Sequence, residues 1–466
     1  MTRETFETVS PINGEIIVSR HYSSETEMQC AVNSATESQQ RWYKRSLAER
    51  AAICRQALDY FEQNKTEIAL EITQQMGRPI KYSAGEIAGL QERGHYMIDI
   101  AEESLSDIQL PDKPGYKRFI RRSPLGTVLI LAPWNYPYLT AINTIIPALM
   151  AGNPVILKHS AQTPLCAERF VEAFKAAGLP ESVFQCLHLR HDQVDRLIKN
   201  PKISYVAFTG SVSAGHAIEQ SAAGRFIGVG LELGGKDPAY VREDADLHFA
   251  IENLVDGAFF NSGQSCCGVE RIYVARAVYQ QFVEGFVALT KQYCLGSPLD
   301  QATTLGPVVS EKAAAFITQQ VADAVAAGAT ACIDPAHFQS NGENLLTNYM
   351  APQVLINVNH TMSVMLEETF GPVVGIMPVE SDEEAIQLMN DSPFGLTASI
   401  WSQNADLAEA IGNRIETGTV FMNRCDYLDP ALVWTGVKNT GRGASLSQLG
   451  YQSLTQPKSF HLRIDI

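Results

Sequence analysis

Between residues 127 and 209, short apolar runs alternate with helical stretches, and this rhythm constrains the fold of the 466-residue chain more than any other feature. Apolar runs at 127–131, 154–157, 183–189 and 205–209 are separated by helical patterns, clearest at 139–151 and 165–177. Short strands joined by helices of roughly 10 to 15 residues predict a parallel, doubly wound α/β sheet, in which ligands bind at the carboxyl ends of strands. A second α/β segment starts near residue 233, with helical patterns at about 246–260, 277–294 and 311–327 and strands near 354–356 and 373–379. Upstream, residues 46–104 read as helical: Ala51, Cys54, Leu58 and Phe61 recur at helical spacing, with Gly77 and Pro79 as a stop. Residues 110–122, with two prolines, a glycine and five basic residues, read as an exposed excursion. Residues 454–466 read as a terminal strand able to pair with another chain.

Composition narrows the partners. Thirty-six Lys and Arg against 51 Asp and Glu leave a net charge of −15, so no basic surplus exists to neutralise nucleic acid or anionic lipid. No apolar stretch approaches the roughly 18 residues of a membrane span, and the first residues lack a secretory apolar region. Nine cysteines without a C-x-x-C pair fit reduced thiols in a cytoplasmic protein better than disulfides or a metal site.

Four segments carry candidate chemistry. Gly210, Ser211 and Gly215 follow the run 205–209 and open a helical pattern; they are either a plain strand-to-helix turn or a cradle for phosphate at a helix N-terminus. Cys266, in Gly263-Gln264-Ser265-Cys266-Cys267, follows a glycine-containing loop, either as an exposed nucleophile or as a small residue packed beneath it. Glu232, flanked by Leu231 and Leu233 and followed by Gly234-Gly235, is either a desolvated general base or an edge-strand glutamate reaching water. Asn135, between Pro133 and Pro137 just past a strand, can donate to an oxyanion or merely satisfy a turn.

Together with Lys158 in Val155-Ile156-Leu157-Lys158 and with Glu367-Glu368-Thr369-Phe370-Gly371-Pro372, these segments closely resemble the NAD(P)-dependent aldehyde dehydrogenase superfamily over essentially the whole chain. The resemblance includes Arg271 five residues after Cys266, and Glu232 placed 34 residues before it. It implies a Rossmann-like cofactor domain (1–105 and 124–234), an α/β catalytic domain (235–435) and a small β oligomerisation arm and tail (106–123 and 436–466). It further implies Cys266 as nucleophile, Asn135 as oxyanion amide, Glu232 as the base that activates water, and Cys267 as a non-essential neighbour. NAD or NADP would be held by Trp134, Lys158, Ser160, Ala161, Gly210, Ser211, Gly215, Glu368 and Phe370, with no metal. The implied activity is oxidation of an aldehyde, semialdehydes included, to the acid through a cysteine thiohemiacetal and thioester, in a homodimer or homotetramer.

Several positions depart from the family pattern. Asn143 and Thr144 stand where an aromatic or Arg followed by Lys is common, so the arginine of a semialdehyde anion clamp is missing there. Trp434-Thr435-Gly436-Val437 replaces the usual P-F-G-G and reshapes the mouth of the substrate tunnel. Arg424 could accept an anionic aldehyde or be a solvated loop residue. Ala161 stands where NAD-preferring relatives carry an acid, which predicts that NADP serves at least comparably with NAD, with Lys158 and Ser160 or His159 facing its phosphate. A CoA-acylating enzyme is the nearest alternative, disfavoured by Glu232; a non-catalytic relative would be expected to lack the thiol or the amide.

Overall fold

A computed structural model describes residues 4–338 and 345–465. Thr127–Ala132 is buried along its whole length, as a central strand covered on both faces by helices must be. Around it runs a six-stranded sheet in the order Gly441–Arg442, Gly228–Glu232, Ile203–Thr209, Thr127–Ala132, Val155–His159, Phe184–Cys186. All pairings are parallel except that of the Gly441–Arg442 edge. The chain builds outward from Thr127–Ala132 in one direction and then, with Ile203–Thr209, in the other. The order therefore reverses between these two neighbours, and their carboxyl ends open a crevice.

The second sheet has seven strands, in the order Thr330–Ala331, Gln353–Ile356, Val373–Val379, Val269–Ala275, Asp237–Val241, Thr397–Trp401, Thr419–Met422. Only the Thr330–Ala331 edge is antiparallel. Sheet membership changes between Glu232 and Asp237, so the Leu233–Lys236 link joins the two halves. Among the described residues no helix is long and apolar enough to cross a membrane.

The basic excursion is a strand. Tyr116–Pro124 pairs antiparallel with Thr455–Arg463 along its whole length and with Ile108–Gln109 on its other side. Phe119 stacks on Phe460 at 4.5 Å, and Arg121 lies 5.0 Å from both rings. The tail does not act as one unit with this arm, contrary to the expected 436–466 element. Gly441–Arg442 joins the first sheet, and Tyr451, on helix Ser447–Ser453, donates to the Met97 carbonyl at 2.5 Å. The reason is a close backbone approach: Gly441 has φ +110° and a Cβ there would sit 2.3 Å from the Leu231 carbonyl oxygen, which only glycine accommodates.

Candidate active site

Cys266 owes its position to an unusual backbone. Asn261, Ser262 and Gly263 have φ of 54°, 57° and 70°, three successive residues in the left-handed region that only glycine enters freely. At Gly263 glycine is obligatory, because a Cβ would meet the Gly371 carbonyl oxygen at 2.2 Å. Side chains hold the other two. Ser262 Oγ donates to the Gly306 carbonyl at 2.8 Å; Asn261 Oδ1 accepts from Arg78 Nε at 3.1 Å, and its Nδ2 donates to the carbonyls of Asn135 and Gln264. The turn leaves Cys266 partly exposed on a cavity of about 370 Å³ that Glu232, Tyr136 and Thr209 also line.

Cys267 lines the same cavity but is engaged. It is buried, its Sγ donates to Asp426 Oδ1 at 2.9 Å, and the pair is joined by Ser265 Oγ at 3.1 Å. Burial pushes the Asp426 carboxyl up to about 6, and the neighbouring Cys266, burial and the Asp426 charge hold the Cys267 thiol well above its ordinary range.

Asn135 is 5% exposed and its Nδ2 donates to the Gln264 carbonyl at 3.2 Å, which leaves the second amide proton for another acceptor. Its own carbonyl is clamped by Arg78 Nη2 at 2.6 Å. Arg78 in turn pairs with Glu86 at 2.5 Å, both side chains buried. The other Glu86 oxygen accepts the N–H groups of Tyr138 and Leu139 at the start of helix Pro137–Ala151, where a carboxylate meets the positive end of the helix. Neither Arg78 nor Glu86 stands in a motif near Asn135, so the sequence offered no local signal for them.

Glu232 ends an interior strand rather than an edge strand. Ser445 Oγ donates to its Oε1 at 2.6 Å and Thr209 Oγ1 to its Oε2 at 3.0 Å. Burial outweighs these bonds and raises its pKa, the direction that brings a carboxylate toward use as a base near neutrality.

Several of the cofactor candidates follow the carboxyl ends of first-sheet strands: Trp134 after Thr127–Ala132, Ser160 and Ala161 after Val155–His159, and Gly210 and Ser211 after Ile203–Thr209. Gly210 donates its N–H to the Glu232 carbonyl, Ser211 caps helix Val212–Ala222, and Gly215 packs against Leu233. Lys158, on Val155–His159, is partly buried, and desolvation lowers its pKa. No carboxylate among the described residues pairs with it, so its amine is available to a ligand. Ser160 follows it and Ala161 is exposed. His159 is not available to a phosphate, contrary to the sequence expectation: its ring is buried, Nε2 donates to the Pro137 carbonyl, Nδ1 accepts from Ser160 N–H, and burial holds it near 4. Glu368 Oε1 accepts from Gly235 N–H at 2.9 Å, and burial pushes its carboxyl up to about 7. The buried Lys236–Glu270 pair sets this loop, Glu270 accepting the N–H groups of Thr369 and Phe370. Phe370, with φ 51°, meets Trp134 edge-on at 5.7 Å. An unpaired amine, a capped helix N-terminus and a free edge of aromatic surface suit a dinucleotide.

Residues 1–460 match the aldehyde dehydrogenase family. The chain belongs to that family. A probable succinate-semialdehyde dehydrogenase [NADP(+)] of Synechocystis is 33% identical over 97% of this chain and 98% of its own length. The lactaldehyde dehydrogenase of Escherichia coli K12 is 32% identical over 96% of this chain and 93% of its own. The crystal structure of succinic semialdehyde dehydrogenase from Streptococcus pyogenes with NADP+ superposes with a TM-score of 0.93, at 28% identity, over 98% of this chain and 100% of the other. This aldehyde dehydrogenase is therefore an oxidoreductase that oxidises an aldehyde with NAD or NADP.

Two arginines that stand out in the sequence lie away from the chemistry. Arg271 is buried, its Nε on the Lys236 carbonyl and its Nη atoms on those of Leu388 and Met389, so it ties the sheet to a loop. Arg424 is exposed and stacks over Tyr427 at 3.5 Å, outside the cavity lining. Trp434, from the departed P-F-G-G position, does line the cavity.

Proposed function

We propose that this enzyme converts its aldehyde to the free acid through an acyl-Cys266 intermediate, with water as the second substrate. The observation that carries the reading is that Cys266 and Glu232 line one cavity while Asn135 Nδ2 is anchored on Gln264, two residues before the thiol. The Cys266 thiolate attacks the carbonyl carbon, and the displaced electron pair becomes an oxyanion that accepts from Asn135 Nδ2 and the Cys266 backbone N–H. Bound NAD(P) supplies the hydride acceptor. The oxyanion collapses as hydride leaves, giving the thioester. Glu232 takes a proton from water, the hydroxide adds to the thioester, and the Cys266 thiolate departs. Lys158 and the Ser211-capped helix hold the adenosine end, and Glu368 accepts from ribose hydroxyls.

The discriminating variant is Glu232→Gln. It should release one equivalent of NAD(P)H and then stall, its steady-state rate falling by about 10² to 10⁴, with an acyl adduct on Cys266 by rapid-quench mass spectrometry. Neither burst nor adduct would remove Glu232 from the hydrolytic step. The same assay with CoA separates the acylating alternative, since CoA should not accelerate turnover.

The reduced cysteines support a cytoplasmic setting, and the strand Thr455–Arg463, paired on one side only, supports assembly through the arm into a homodimer or homotetramer. Light scattering of the full chain against a variant shortened before Thr455 tests the assembly.

A further inference from the structure

Among the charged residues that line the cavity with Cys266, Arg93 is one that the chemistry above does not use. Arg93, on helix Gly85–Asp99, is 8% exposed and lines the cavity together with Cys266 and Glu232. Its Nη1 donates to the Leu139 carbonyl at 3.1 Å and to Asn143 Oδ1 at 3.3 Å, both neutral acceptors. Among the described residues, Nε and Nη2 donate to no protein atom, yet neither is sealed away from the cavity. No carboxylate among those residues pairs with the guanidinium.

The acids around the cavity have other partners or sit at its rim. Glu86 is bound to Arg78, Asp426 to Cys267 and Ser265, and Glu232 to Thr209 and Ser445. Glu92 is exposed and accepts from Tyr427 Oη, and Asp256 is exposed. Arginine cannot discharge itself by losing a proton, and a buried charge without a counter-ion is strongly unfavourable. Arg78 is buried and ion-paired, whereas Arg93 has no carboxylate among the described residues within ion-pair distance and feels Glu86, Glu232 and Glu92 only through space, so its free donors are open to a counter-ion from outside the chain.

Resting on the reading of the site as one that oxidises aldehydes, we propose that Arg93 is the anion receptor of the substrate cavity and that the enzyme takes aldehydes ending in a carboxylate, the aldehyde carbon at Cys266 and the carboxylate at Arg93. Two adjacent free donors form the fork that a carboxylate fills with both oxygens. The remaining walls include Leu139, Leu428, Phe260 and Trp434, which suit a short alkyl chain between the two ends. Arg93 thus offers a guanidinium beside Asn143, reached from a different helix.

The test uses the full chain with NADP and three aldehydes: 4-oxobutanoate, butanal and trimethylammonium acetaldehyde. Wild type should favour 4-oxobutanoate over butanal by about 100-fold in kcat/KM, the weight of a buried charge pair. Arg93→Met should reduce that ratio to a few-fold, and Arg93→Lys should retain part of it. Equal losses for both aldehydes, an absent preference in wild type, or the cationic aldehyde as best substrate would overturn the proposal. A wild-type measurement guards against a misfolded variant: succinate should slow alkylation of Cys266 by iodoacetamide while the uncharged butyramide at the same concentration does not, and equal effects would also overturn it. No NADPH from any of the three, or from a wider panel, would instead refute the aldehyde-oxidation reading beneath it.

Discussion

Arg78→Lys tests whether the oxyanion amide is positioned by a buried ion network that never touches the reacting atoms. Arginine reaches three acceptors at once: Glu86 Oε2 at 2.5 Å, the Asn135 carbonyl at 2.6 Å and Asn261 Oδ1 at 3.1 Å. A lysine ammonium is a compact donor on a flexible stem. It can stay beside Glu86, which avoids leaving that carboxylate buried without a counter-ion, but it cannot span the other two. Losing two hydrogen bonds to a charged donor, at about 1.5 to 3 kcal/mol each, should cost roughly 3 kcal/mol or more of stability. The Asn135 carbonyl keeps its 3.3 Å bond from Asn261 Nδ2, so the loop should loosen rather than collapse. A displacement of about 1 Å at a catalytic donor costs about 100-fold, or about 2.7 kcal/mol in the barrier. Steady-state kinetics on the folded variant, checked by thermal unfolding, should show kcat down by about 30- to 100-fold, with KM for NADP changed by no more than about threefold. A folded variant with kcat close to wild type, or one whose whole defect lies in KM for NADP, would refute the positioning role.

Cys266→Ala should abolish turnover, whereas Cys267→Ser should retain most of it because a hydroxyl can still donate to Asp426; equal loss in two folded variants would defeat the assignment of the nucleophile. Glu368 is the stronger acceptor for ribose hydroxyls when ionised, and with its carboxyl near 7 the ionised fraction falls as pH drops through that value. KM for NADP should therefore rise below about pH 7, and the rise should vanish in Glu368→Gln, whose KM is high throughout. Ala161→Glu should lower kcat/KM for NADP relative to NAD by about fivefold or more, the weight of roughly 1 kcal/mol between like charges about 4 Å apart in water; an unchanged ratio would mean that Ala161 does not face the 2′-phosphate.

What could be read from the sequence was what lies close together along the chain. The strand-helix rhythm announced the first sheet because each strand is a short apolar run, and Cys266, Glu232 and Asn135 stand in local motifs. A strand at Glu232 was legible only as a possible edge, because glycines interrupt Gly228–Glu232; Cβ atoms at Gly228 and Gly230 would meet the Tyr205 ring and hydroxyl at 2.7 and 2.5 Å, so small residues are demanded by packing rather than by a turn. The supports of the site were illegible for a different reason. Ser445 meets Glu232 across 213 residues and Arg78 meets Asn261 across 183, and a lone serine or arginine carries no mark of such a partner. Arg93 was equally silent, since on a helix its spacing suits a solvated face as well as a cavity wall.

The two halves of the site are also mechanically coupled, and the coupling lies in the link between the sheets. Gly234 and Gly235 follow Glu232 directly; a Cβ on Gly234 would sit 2.4 Å from Glu368 Oε2 and one on Gly235 would sit 2.2 Å from the Cys266 carbonyl oxygen. The backbone after the proposed base thus passes against both the proposed ribose-binding carboxylate and the nucleophile's own peptide. Gly235 N–H is held by Glu368, and the Lys236 carbonyl by Arg271, so this short stretch cannot shift without moving all three groups. Base, nucleophile and cofactor carboxylate come from different elements, yet their separation is set by a few residues of tightly packed backbone. That accounts for a glycine pair beside the proposed general base better than turn formation does, because neither Gly234 nor Gly235 adopts a positive φ.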